Sequence, residues 1–232
     1  MRRNPSRPVL RSQFVIRNVN WIVNSNMKVV DLKRLKNAQR KTRWDFGNEI
    51  LYRLCEEHPH HTNEDEILAK IWLVGRSYSA AIERRKDARE VSGEAFYTTV
   101  VGPKMRQAKI DKWLSPLFRH SRPTIKNCGE IIDAHKRLTD LFDEITGLEK
   151  RSLASKYLHF HFRNLFYIYD SRAAMNLTKL APRLKEMPAL NNYDQVYANH
   201  FVRSLKLVDS IEREHGIYLS PRRLDDYLLG LM

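Results

Sequence analysis

The stretch Ile145-Thr146-Gly147-Leu148-Glu149-Lys150-Arg151-Ser152-Leu153-Ala154-Ser155-Lys156-Tyr157-Leu158-His159-Phe160-His161-Phe162 reads as a helix, a glycine turn and a second helix. Gly147 sits where a helix C-cap glycine belongs, and apolar residues recur at three- and four-residue steps on both sides of it. The N–H groups of the turn and of the second helix's first residues, around Ser152, can grip a phosphate with Lys150 and Arg151 beside them. The next block, Leu165-Phe166-Tyr167-Ile168-Tyr169-Asp170-Ser171-Arg172-Ala173-Ala174, is an apolar run of extended character that delivers Asp170 to the start of a further helix. A carboxylate there accepts hydrogen bonds from first-turn N–H groups, which keeps it ionised and fixed in direction. Tyr-Asp-Ser is also an ordinary way to cap a helix.

Outward from this hairpin the pattern stays helical. Trp44, Ile50, Leu51, Leu54 and Cys55 trace a stripe over 43–57, and Asn63 with Glu66 starts a long helix whose apolar face runs from Ile67 to Ile82. Gly75 lies near the middle of that face, where a missing side chain lets another helix approach, and Arg76 lies beside Trp72 at its edge. The run Glu83-Arg84-Arg85-Lys86-Asp87-Ala88-Arg89 reads as the helix leaving the core for solvent. Residues 91–103 read as a short strand or extended loop, 104–118 as a basic amphipathic helix, and 124–146 as a long helix. Helices over 152–162, 170–180 and 193–215, and one opened by Ser220-Pro221, complete the chain. The expected architecture is all-α, with at most a minor β element. A basic arm (1–26) precedes two helical lobes, 27–118 and 119–232, with a cleft between them. The second lobe holds the hairpin (145–162) and the Asp170 loop (163–174).

Composition points to the partner. With 41 Lys and Arg against 27 Asp and Glu, the net charge is +14, so an anionic polymer is the natural ligand, and the dispersal of the charge favours a broad phosphate-contacting surface over a membrane anchor. No apolar stretch is long enough to span a bilayer, and the N-terminus lacks a secretory core, so an intracellular, cytoplasmic chain is expected. Two cysteines supply neither a disulfide framework nor a four-cysteine zinc site. His58, His60 and His61 near Cys55 match no strong metal spacing, and no metal or cofactor is expected.

The two blocks Ala154-Ser155-Lys156-Tyr157-Leu158-His159-Phe160 and Ile168-Tyr169-Asp170-Ser171-Arg172 resemble those of the helix-hairpin-helix DNA glycosylases, most closely the 8-oxoguanine glycosylase-like branch. The resemblance covers about 30 residues. It implies a two-lobed helical monomer, bound to double-stranded DNA, that cleaves the N-glycosidic bond of an everted base. Asp170 then faces the sugar and stabilises its developing positive charge or orients water. Bifunctional members of the family place an imine-forming lysine near Arg151 or Ser152; arginine cannot form that imine, and Lys156 lies about one turn further on. Lys156 is thus the candidate nucleophile, with a phosphate or base contact, or a lysine at the margin of an apolar face, as its other readings. The glycine-rich hairpin of the family is here Gly147-Leu148-Glu149, with an acid where phosphate would approach.

An everted base needs an aromatic pocket, for which Trp72, Arg76, Tyr78, Tyr157 and Phe160 are the candidates, with His161 in support. On a helical wheel His161 falls on the apolar face and His159 toward the opposite side. Arg172 can pair with Asp170 or touch DNA. The substrate is left open among oxidised, alkylated and viral modified bases, the last implying a defence role. The alternative class is a helix-hairpin-helix protein that binds DNA without chemistry. A nuclease is disfavoured because Asp225-Asp226 and Asp140, Asp143 and Glu144 read as solvated helix faces.

Overall fold

The computed structural model describes residues 30–85, 93–181 and 193–230. All regular structure among them is helical: α1 (Leu32–Ala38), α2 (Trp44–Glu57), α3 (Glu64–Ser77), α4 (Gly93–Phe96), α5 (Gly102–Gln107), α6 (Ile110–Leu114), α7 (Cys128–Thr146), α8 (Arg151–His161), α9 (Ser171–Leu180), α10 (Gln195–His215) and α11 (Pro221–Leu229). The expected basic arm lies outside the described residues.

Helix boundaries follow local chemistry. Asn63, Asp170, Asp194 and Ser220 each cap a helix by accepting first-turn N–H groups, and Gly147 and Gly216 end α7 and α10 at φ +67° and +66°. α8 is the hub, packed against α2, α3 and α7. α9 lies on α10 and α11, and α11 on α1. One cluster of buried residues runs through all of these from Leu35 to Leu228.

Several expectations need correction. The 91–103 segment is not extended from Gly93 onward: α4 continues through a π-helical turn (Tyr97–Val101) into α5. Phe96, Tyr97, Val101 and Met105 are buried there, and this packing against α3 overrides the β-branched run Thr98-Thr99-Val100-Val101. The 104–118 helix is broken at Lys109, whose φ is +55°, and its end is 3-10 (Ser115–Arg119). α3 stops at Ser77 instead of running out into the charged stretch. The chain turns through Ser79 at φ +52°, and the Ala80 N–H donates to the Gly75 carbonyl at 2.8 Å. A Cβ on Gly75 would stand 3.2 Å from Ala81 Cα, so the glycine admits the chain's own return, not a second helix. On α2, Trp44 and Ile50 are exposed, while Asn48, Leu51, Tyr52 and Cys55 face inward.

Candidate active site

Asp170 is placed by a segment that has no helix or strand of its own. Residues 165–168 are buried, and the carbonyls of Phe166, Tyr167 and Ile168 each accept from a side chain. His159 Nδ1 donates to the Phe166 carbonyl (2.9 Å), the Tyr197 hydroxyl to that of Tyr167 (3.1 Å) and His200 Nε2 to that of Ile168 (3.0 Å). The Tyr169 N–H donates to Ser155 Oγ at 3.0 Å. This clamp brings Asp170 to the N-cap of α9, where Oδ1 accepts the Ala173 N–H at 2.8 Å. The carboxylate is half-buried, and Ser171 and Arg172 are exposed.

Lys156 projects from α8 toward the same region and is only 4% exposed. Its Nζ donates to the Ser152 hydroxyl at 3.0 Å and to the Tyr78 carbonyl at 3.2 Å, and stands 5.7 Å from the Tyr78 ring centre. Burial draws the amine's pKa below the ordinary lysine value; the fields of Asp170 and Asp225 oppose that shift and Arg172 adds to it.

Sequence reading placed Asp225 on a solvated face, and the structure corrects this: the residue is 3% exposed. Arg222 Nη1 donates to its Oδ2 at 2.8 Å, while Oδ1 makes no hydrogen bond. Burial pushes its carboxyl up to about 7 against the pull of Arg222, and Asp170 and Asp226 push the same way. Asp226 is half-buried and is held by Arg222 at 2.8 Å and Arg223 at 3.0 Å. A signal for Asp225 exists in the sequence: Pro221, Leu224, Asp225 and Leu228 share one helix face, and all four are buried. Asp140, Asp143 and Glu144 are exposed, as expected.

The other candidates fall in separate places. Trp72 and Arg76 line an open hollow of about 690 Å³ with Glu83, Arg85 and Tyr97. Arg76 and Tyr97 both bond Glu83 there. Tyr78 belongs to the Lys156 centre: its hydroxyl donates to Asn48 Oδ1 at 2.7 Å, and its ring meets Phe160 edge-on at 5.4 Å. Tyr157 and Phe160 are core residues. Tyr157 ends a chain that runs inward from the partly exposed Asp111, in which Asp111 Oδ1 meets His61 Nδ1 at 2.7 Å and His61 Nε2 meets the Tyr157 hydroxyl at 2.8 Å. His161 stacks on His61, with ring centres 5.2 Å apart. His161 packs with Tyr157 on the expected face, and His159, on the opposite side, is also buried and bonds the Tyr52 hydroxyl at 2.6 Å, so α8 is covered on both faces.

In the hairpin, Lys150 Nζ donates to the Ala81 and Arg84 carbonyls, and Arg151 pairs with Asp194 and Glu149. Both cations are engaged within the chain. Among the described residues no group of three or more His, Cys, Asp or Glu side chains is placed to hold a metal, and no helix is long and apolar enough to cross a membrane. Comparison with protein-family models, curated proteins and solved structures gives no match to this chain.

Proposed function

We propose that the chain is a DNA glycosylase of helix-hairpin-helix type, with two lobes about a cleft, acting as a cytoplasmic monomer on duplex DNA. The observation that carries this reading is a buried amine, Lys156, lying within the electrostatic field of a carboxylate fixed at a helix N-cap, Asp170, the two contributed by the two sequence blocks of the resemblance. In hydrolysis the C1′–N bond breaks, the base leaves with the electron pair and positive charge grows on the deoxyribose. Asp170 stabilises that charge or orients the water whose oxygen bonds C1′ as its proton departs. In the lyase variant Lys156 Nζ attacks C1′ while the base leaves, and loss of its protons with ring opening gives an imine. Burial favours the neutral amine that this attack needs.

The test is a panel of duplexes carrying oxidised, alkylated and viral modified bases, assayed for abasic sites. At least one is converted, Asp170→Asn slows the conversion by about 10²–10³-fold, and borohydride traps a covalent adduct only where Lys156 forms the imine. A second reading, DNA binding without chemistry, is favoured by how fully Ser152 and the Tyr78 carbonyl engage the Lys156 amine. Salt-dependent duplex binding with no base released from any member of the panel would establish it.

A further inference from the structure

We propose that the N-terminal segment 14–23 of the chain docks on the outward face of α2, along Phe46, Ile50 and Leu54. The docking is independent of any chemistry at Asp170.

Two properties of this face carry the inference. The first is its apolar character. α2 turns Asn48, Leu51, Tyr52 and Cys55 to the core, which leaves Phe46, Ile50 and Leu54 in file away from it, four residues apart and about 12 Å from end to end. Phe46 is 75% exposed and Ile50 43%, with Leu54 half-buried beyond them. A side chain added at Gly47 would meet nothing within 4 Å, so the surface beside the file is open. Single exposed apolar side chains are ordinary, but a continuous file of them marks an interaction surface. The second property is charge. α2 holds Asp45, Glu49, Glu56 and Glu57 against Arg53 alone, in a chain whose net charge is +14, and the three glutamates are exposed. A nucleic acid would meet carboxylates there, so a cationic peptide with apolar side chains is the fitting occupant.

The chain supplies such a peptide next to this face. Residues 1–29, which precede the described part, hold five arginines, Lys28 and no acid. Seven of the ten residues at 14–23 are apolar, Phe14, Trp21 and Ile22 among them, with Arg11 before the run and Arg17 within it. The root of the segment lies beside α2. α1 packs on α11, Arg223 of α11 holds Asp45 in the first turn of α2, and Arg34, Thr42 and Tyr227 line one small hollow between these elements. α1 is only about 10 Å long, and the seven residues from Val23 to Val30 extend as far as about 25 Å, enough to pass from the start of α1 to the file. A second copy of the chain fits less well. Each partner of a stable dimer buries about 800 Å², more than three side chains offer, whereas a tethered segment docks at the high effective concentration set by its own linker.

The experiment is amide hydrogen exchange of the full chain, read peptide by peptide. The amides of 14–23 exchange at least about tenfold more slowly than in a free peptide of that sequence, and the ratio is unchanged when the protein is diluted. Phe46→Asp combined with Ile50→Asp removes this protection and leaves α8 protected, whereas Trp72→Ala, at an exposed aromatic elsewhere, leaves it intact. Exchange of 14–23 at the free-peptide rate in the wild-type chain overturns the proposal. So does protection that survives the double substitution, that falls away on dilution as for a second copy, or that arises only when duplex DNA is added. Where the double variant fails to fold, a benzophenone photo-crosslinker in place of Phe46 decides. An adduct to 14–23 within one chain supports the docking; an adduct elsewhere, between two chains, or none at all overturns it.

Discussion

α8 carries two buried polar networks, and they are finished to different degrees. Toward α3 and α6, Asp111, His61 and Tyr157 bond end to end, and His161 stacks on the chain with only its Nε2 unpaired. Toward α11, the network around Lys156 leaves Asn48 Nδ2, Arg222 Nε and Asp225 Oδ1 without partners. Buried polar groups are almost always bonded, and each exception needs a cause. The satisfied network has the pattern of a structural strut, and the unfinished one surrounds the proposed site.

The largest expected effect is that of acid on the buried histidines, His61 of the finished network among them. Burial holds His61 and His200 at about 4 and His135 and His159 at about 3. Their unfolded forms take up protons from about pH 6.5 downward, so the unfolded chain binds more protons over that window. Stability from these groups is complete above pH 6.5 and is lost as the pH falls toward 3–4. Asp225, raised to about 7, contributes in the opposite direction between its unfolded value and neutrality. The net loss from pH 6.5 to 5 is roughly 5 kcal/mol, measured as a steep drop in Tm. A flat Tm across that range would contradict neutral buried histidines.

Next in size is Asp170→Asn, expected to slow base release by about 10²–10³-fold. Asparagine still caps α9, so the urea midpoint stays close to wild type. A parallel collapse of stability would make Asp170 a cap and nothing more. Tyr157→Phe strikes the finished network and leaves His61 Nε2 buried without its partner; it costs about 1–3 kcal/mol of unfolding free energy. A loss below that range would show the Asp111–His61–Tyr157 chain to be dispensable. Gly147→Ala forces a side chain into the left-handed cap of α7 and costs about 1–2 kcal/mol. Smallest is Trp72→Ala, on the open hollow, whose stability stays within about 0.5 kcal/mol of wild type.

The same contrast describes what could be read from the residues alone. Caps and glycine stops are local, so Asn63, Asp170, Ser220 and Gly147 announce their helices, and the all-helical class follows. The 93–103 segment reads as extended because its β-branched run has that propensity, and it is helical only through burial against α3. Lys156 and Asp170 were legible as candidates from two short motifs. Asp225 was not, because Arg222-Arg223 before it and Asp226 after it look like solvent-facing charge, and only the face shared with Pro221, Leu224 and Leu228 betrays its direction. The split of the pocket candidates between an open hollow, the centre and the core was invisible, since helical spacing does not say which neighbour a face meets. Lys150 and Arg151 show the same limit, because their partners lie 66 and 43 residues away.

The tight return of the chain over the end of α3 has a mechanical consequence. Lys156 grips its near end through the Tyr78 carbonyl, and Lys150 grips its far end through Ala81 and Arg84. Two lysines from neighbouring turns of one region therefore splint this bend to α8, and Gly75 leaves no slack beneath it. α3 and α8 travel as one block, so any hinge that widens the space around Asp170 has to work through α9 or α11.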